Sequence, residues 1–313
     1  MLELEDLSVE TLQNIPLNPT IREAYDYLFA NDPSVLLPPG EVSKEALTRY
    51  RQKHGEIYRE EATTWIEEEP QVTVIQSGMF GGKTTLAFNL EDRLKEKGLH
   101  VTNLIAYVMG EDYVTGRSYS ADPKKNKRPA IKFGDPTTYT EEISQLMSGD
   151  SDYLVLDEFS FLPDMQVVQA LILACIKNGK GIVLTGLDTN YLGYPLPPFQ
   201  ENGFVKDLTT AKKLYCKSFV PGICEDIPLG TNTIRYAYID GKWILDIGIY
   251  PTVVSKEHNQ VVRYAPAMKS QTASHIFRDD PYFLSAILYP TELEDIQRKI
   301  FLKKSLSRYN EKE

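Results

Sequence analysis

Cysteine is scarce in this chain: Cys175, Cys216 and Cys224 are the only three, and no CxxC pair occurs, so neither a disulfide framework nor a four-thiolate zinc site can be read from them. Long hydrophobic runs are missing as well, and none approaches the length needed to cross a bilayer, so no membrane association is expected. Positive charge is in deficit. With 34 Lys and Arg against 44 Asp and Glu the net charge is −10, which argues against a broad electrostatic grip on nucleic acid and leaves room only for a local basic patch. The start, MLELEDLSVE, is acidic where a secretory signal is basic and then apolar, so a cytoplasmic protein is expected. Internal repeats and low-complexity tracts are absent. The 313 residues, 42% hydrophobic and 25% charged, suit one large domain with additions or two modest domains.

The stretch around which the rest is arranged is Val72 to Thr85, VTVIQSGMFGGKTT. A run of strand type enters a short loop with Gly78, Gly81 and Gly82, followed by Lys83, Thr84 and Thr85. Leu86, Leu90 and Leu94 then recur at helical spacing. Strand, glycine loop and helix together form a phosphate cradle for ATP or GTP. Glycines let backbone N–H groups of Ser77, Gly78, Met79, Phe80, Gly81 and Gly82 turn onto an anion, the lysine reaches the outer phosphates, and the Thr84 hydroxyl is placed to hold Mg²⁺. Strict spacing asks for glycine five residues before Gly82, where Ser77 stands, and glycine follows one place later at Gly78.

The pattern from Val72 onward alternates strand and helix. Strands are expected at His100 to Val108, Tyr153 to Leu156 and Gly181 to Thr185, and helices near Tyr139 to Met147 and Met165 to Lys177, with a polar stretch through Lys132. Apolar strands separated by helices imply an α/β fold with a mostly parallel sheet covered on both faces, whose ligands sit beyond the carboxyl ends of the strands. Four segments follow: a helical extension over 1–70, a phosphate-loop core over 71–210, a small β-rich appendage over 211–266 and a helical extension over 267–313. In the first, Ile21 to Ala30 and Ser43 to Glu68 read as helices, the second lying on the main domain or on another subunit. In the third, Lys213 to Phe219, Thr233 to Ile239 and Lys242 to Ile247 read as strands, with Asp240-Gly241 as a hairpin turn.

A second anchor is Tyr153 to Asp164, YLVLDEFSFLPD. An apolar strand ending in Asp-Glu puts two carboxylates beside the phosphates: Asp157 to hold Mg²⁺ with Thr84, and Glu158 to take a proton from the hydroxyl or water that attacks the γ-phosphate.

The segments GMFGGKTT, LDEFSFLPD and GLDTNYLGYPLPPF, in that order, resemble the type II thymidine kinases, whose patterns read like GPMFSGKST, IDEGQFFPD and ALDGTFQRKPF. The resemblance spans Val72 to Tyr250. It implies a phosphate-loop NTPase core of RecA-like kind with a lasso-type appendage, ATP with Mg²⁺ and a deoxynucleoside as partners, and transfer of the γ-phosphoryl group to a 5′-hydroxyl with Glu158 as base. It further implies that Met79, Phe161 and Tyr191 flank the nucleoside base, that Tyr250 lies on a closing loop, and that Arg117, in Thr115-Gly116-Arg117, contacts phosphates together with Lys83. The family's D-x-R aspartate is replaced by Thr115. Its tetramers imply a homo-oligomer, with the terminal extensions placed to contact other subunits. The zinc site of the family has no counterpart, because Ser218, Pro221 and Ser255 stand where three ligands belong and only His258 remains, so no zinc is expected. Two other readings stay open: a kinase-derived nucleotide-binding structural or regulatory subunit without nucleoside kinase activity, and an ATPase in which Glu158 activates water.

Overall fold

The computed structural model describes residues 44–79, 81–109, 112–115, 123–219, 229–230, 232–239, 242–245, 262–267 and 272. The expected helices at Ile21 to Ala30 and beyond Pro281, and the Asp240-Gly241 turn, lie outside these residues. The described residues form two compact units, one of residues 44–189 and 195–219, the other of residues 190–194 and those beyond 219.

In the first unit the chain runs α1 (Lys44–Glu68), β1 (Val72–Ser77), α2 (Lys83–Glu96), β2 (Val101–Ala106), β3 (Tyr113–Thr115), β4 (Lys127–Pro129), β5 (Ile131–Phe133), α3 (Tyr139–Ser148), β6 (Tyr153–Asp157), α4 (Met165–Lys177), β7 (Gly181–Leu187), a short α5 (Phe204–Asp207), β8 (Lys212–Tyr215) and β9 (Ser218–Phe219). Six of these strands make one sheet in the order β5-β2-β6-β7-β1-β8, and every neighbouring pair is parallel. A sheet of that kind must be covered on both faces, and alternate residues show how. Val72 and Val74 of β1, Leu154 and Leu156 of β6, and Ile182 and Leu184 of β7 face α4 through Val168, Leu171 and Ile172. Ile75, Val155, Val183 and Leu214 point the other way, onto α1 and α2. Helix α1 shows Tyr58, Ala62, Trp65 and Ile66 on one buried face, the i, i+4, i+7, i+8 stripe of an amphipathic helix. It stops where Glu69 takes a positive φ of 48° just ahead of Pro70. Helix α4 begins with the Asp164 carboxylate accepting the Gln166 N–H at 2.8 Å, the exchange that satisfies a free helix-start donor.

Two strands differ from the sequence reading. Lys212–Tyr215 pairs in parallel with β1, Gln76 opposite Tyr215, and is the sixth strand of the main sheet, although its pattern had placed it with the appendage. Ile131–Phe133 is the opposite edge strand, inside the stretch read as polar. Both are short edge strands with a single buried residue, Leu214 or Phe133, too little for a periodic signal.

Gly186 on β7 leaves no room for a side chain: a Cβ there would meet Phe159 Cε1 at 2.8 Å and Ser160 Oγ at 3.0 Å. Gly186→Ala is expected to lower unfolding free energy by about 1–3 kcal/mol, the usual cost of overpacking, as read by the urea midpoint.

The second unit contains β10 (Leu229–Gly230), β11 (Asn232–Ile239), β12 (Lys242–Leu245) and β13 (Val262–Ala267). Strand β11 is central in an antiparallel sheet, with Ile239 opposite Lys242 on one side and Asn232 opposite Ala267 on the other.

Candidate active site

The loop after β1 leads straight into α2, whose first residue is Lys83 and whose N-cap, Gly82, sits at φ 83° with no side chain capping the helix start. Only glycine adopts that φ without strain, and an uncapped helix start leaves N–H groups free for an anion. Ser77, the last residue of β1, is 1% exposed and its Oγ has no hydrogen-bond partner. A Cβ on Gly81 would lie 2.0 Å from that Oγ. The serine therefore occupies the room in front of Gly81. Lys83, 6% exposed, donates from Nζ to the Gly78 carbonyl at 3.0 Å and the Ser77 carbonyl at 3.3 Å. Gly78 and Thr85 are buried, and Met79 and Thr84 are partly exposed.

Sheet order separates β1 from β6 by one strand, β7, and that strand joins the two anchors. Asp157 at the end of β6 accepts a hydrogen bond from Thr185 Oγ1 of β7 and another from the Thr84 hydroxyl. Burial pushes the Asp157 carboxyl up, and the Thr185 bond and the Lys83 charge pull against it. The two residues expected to share Mg²⁺, Thr84 and Asp157, are thus in contact, and both offer the hard oxygen donors that this ion takes.

Glu158 has the left-handed conformation, φ 56°, rare for a residue with a side chain. Its Oε2 is buried without a hydrogen-bond partner. Burial, opposed by Lys83 and reinforced by the Asp157 charge, raises its carboxyl to about 7. A strained backbone, an orphaned carboxylate oxygen and a pKa near neutrality together mark a functional group more than a structural one. Asp188, just beyond β7, is a third carboxyl around the lysine; burial raises it and Lys83 pulls it down. Asp188 lies inside GLDTNYLGYPLPPF, where the sequence alone gives it no role, and nothing local in the sequence singles out Thr185. Only the strand register puts either beside Lys83 and Asp157.

Phe161 follows Glu158 by three residues and is 44% exposed, free to meet a ligand. Tyr191 belongs to the second unit. There, the buried Arg235 guanidinium lies 3.9 Å from its ring centroid and Nη2 donates to its hydroxyl at 3.0 Å. One face of the ring is thereby taken by a cation. Phe80, Arg117 and Tyr250 lie outside the described residues, as do Cys224, Pro221, Ser255 and His258. The basic run Lys124 to Arg128 is partly structural: Arg128 pairs with the buried Glu91 and with Asp92 at 2.8 Å, and its guanidinium lies 4.2 Å from the Phe88 ring centroid. Among the described residues no group of three or more His, Cys, Asp or Glu is placed to hold a metal, and no helix is long and apolar enough to cross a membrane.

Comparison with known proteins adds three findings. No curated protein matches the chain. Among solved structures, domain III of the Thermotoga maritima replication initiation protein DnaA matches with 16% identity and a TM-score of 0.31, over 64% of this chain and 69% of that one. A likeness of that size says nothing of what this chain binds. The family model of thymidine kinase matches residues 70–202, which hold the loop after β1, the Asp-Glu pair and the segment after β7.

Proposed function

We propose that the protein is a cytoplasmic deoxynucleoside kinase that moves the γ-phosphoryl group of ATP to the 5′-hydroxyl of thymidine or a close analogue. The observation that carries this reading is Glu158, half-buried, its Oε2 buried without a partner, and standing beside Lys83 at the mouth of a phosphate loop. In this reading the unit of residues 44–189 and 195–219 is the catalytic core, the chain from 220 to 266 is a small β-rich appendage, and the ends, before residue 44 and over 267–313, are extensions that contact other subunits of a homo-oligomer.

The uncapped start of α2 and Lys83 hold the phosphates, with Arg117 adding charge to the transferring group. Mg²⁺ arriving with ATP would be held by Thr84 and Asp157 and supplies further neutralisation of the phosphate oxygens. Glu158 accepts the proton of the 5′-hydroxyl at its free carboxylate oxygen. The hydroxyl oxygen bonds to the γ-phosphorus while the bond from that phosphorus to the β–γ bridging oxygen breaks, and ADP leaves with the electron pair. Catalysis is mainly positioning and charge neutralisation, so the base needs only to be ionised and aimed. Met79 and Phe161 offer apolar and π surface to the nucleobase plane, with Tyr191 and Tyr250 as further candidates. A second reading, a nucleotide-binding subunit without transfer, is favoured by one observation: Tyr191 is already engaged by Arg235.

The test is transfer of label from γ-labelled ATP to a panel of deoxynucleosides, beside a reaction without nucleoside. Labelled deoxynucleoside 5′-monophosphate supports kinase action, phosphate release without nucleoside supports an ATPase, and binding without turnover supports the subunit reading. The pH profile gives a finer expectation. A base works only when ionised, so with Glu158 raised to about 7, kcat/KM should rise toward a plateau above pH 7 and fall about tenfold per unit below about pH 6. A flat profile between about pH 5.5 and 8.5 removes Glu158 from the role.

A further inference from the structure

Helix α1 precedes the matched segment 70–202, yet it reaches the loop on which that segment's chemistry depends. Trp65 Nε1 donates to Thr73 Oγ1 of β1 at 2.9 Å, and Arg93 of α2 donates to Thr63 Oγ1 at 3.1 Å. The helix is thus fastened to both elements that flank the phosphate loop. Tyr58 is its point of contact with the loop itself. The residue is 3% exposed, and its hydroxyl donates to the Gly81 carbonyl. Its ring fills the space beside Gly82, where a Cβ would come within 2.7 Å of Cε2. Cys216, at the end of β8, brings its buried thiol within hydrogen-bond reach of the same hydroxyl.

A trans peptide holds its C=O and N–H on opposite sides. Tying the Gly81 carbonyl to α1 therefore turns the Gly82 N–H away from α1. A Gly-Gly peptide has the least conformational preference of any, so an outside bond is what fixes it. Phosphates are held by N–H groups of such a loop, and a loop ordered before the anion arrives spares the cost of ordering it on binding.

We propose that Tyr58 is a positioning residue for the nucleotide, its hydroxyl holding the Gly81–Gly82 peptide in the orientation that presents N–H groups to the phosphates. This inference rests on the nucleotide reading above and adds to it a residue from outside the matched family segment. Tyr58 touches no reacting atom; it acts through the loop.

Tyr58→Phe keeps the ring and removes the bond. In the full chain, loss of one neutral hydrogen bond is expected to raise the Mg·ATP dissociation constant, by titration calorimetry, about fivefold. KM for ATP should rise in step while kcat stays within about twofold. Unchanged affinity in Tyr58→Phe, with the unaltered chain binding Mg·ATP, overturns this inference alone. No Mg·ATP binding by the unaltered chain overturns the nucleotide reading and this inference with it. If Tyr58→Phe also lowers Tm, Trp65→Phe is the comparison, since it cuts the bond of the same helix to β1 away from the loop. Weaker nucleotide binding in Tyr58→Phe but not in Trp65→Phe at a similar Tm supports the positioning role. Equal weakening in both overturns it, leaving α1 as a brace for the fold.

Discussion

Glu158→Gln is expected to lower turnover at saturating ATP and nucleoside by about a hundredfold or more, with Mg·ATP affinity held within about twofold. A hundredfold is about 2.7 kcal/mol of transition-state stabilisation, within the range measured for a lost general base. Glutamine keeps the shape and fits the same left-handed backbone position, so loss of activity would report the proton acceptor and not the fold. Stability should move in the opposite sense. Because burial raises the folded-state carboxyl from its ordinary 4.5 to about 7, keeping that group in the fold costs nothing below the ordinary carboxylate range. The cost grows as pH rises from 4.5 to about 7, where the unfolded chain gives up the proton and the folded chain keeps it, and levels off above that. The nucleotide-free variant should therefore be more stable than the unaltered chain at pH 8, by about 1–3 kcal/mol in urea denaturation, and nearly equal to it at about pH 4. Undiminished turnover would take Glu158 out of the mechanism. Reduced turnover with unchanged relative stability at pH 8 would mean that the folded chain ionises this carboxyl in the ordinary carboxylate range.

Lys83→Ala has the second large effect. Charge-assisted hydrogen bonds to phosphate are worth about 1.5–3 kcal/mol, so the Mg·ATP dissociation constant should rise roughly 10- to 150-fold. Calorimetry on the full chain reads this directly, and unaltered affinity would count against the loop as a phosphate site. A second effect follows from the carboxyls around the lysine. Lys83 pulls down each of Asp157, Glu158 and Asp188, and its removal leaves burial unopposed. Whatever activity Lys83→Ala retains should have its acidic limb displaced to higher pH. Lys83→Arg, which preserves the charge, should leave that limb near its original position even where geometry spoils affinity.

How much of this was legible in the sequence depends on the reach of each contact. The loop from Ser77 to Thr85 and the Asp157-Glu158 pair are contiguous signals, each carried by a strand buried on both faces of the sheet. Their meeting across β7 follows from any parallel sheet with its ligand at the carboxyl edge. Contacts made across long separations left no local trace. Tyr58 reads as one more aromatic on a charged helix until the fold brings it to Gly81, 23 residues on. Thr185 is an ordinary strand threonine until register sets it against Asp157, 28 residues away. Arg235 reads as one more charge on a strand until the fold sets its guanidinium against the ring of Tyr191, 44 residues away. The two edge strands were hidden for a different reason: three or four residues with one buried side chain carry no period to read.

The interlock between Ser77 and Gly81 has a bearing on how this loop can change. The hydroxymethyl group of one fills the room that a side chain on the other would need. Enlarging position 81 by itself produces a collision, and trimming position 77 by itself opens a void under the glycine turn. A larger residue at 81 therefore requires a smaller one at 77, which ties the choice at one position to the choice at the other.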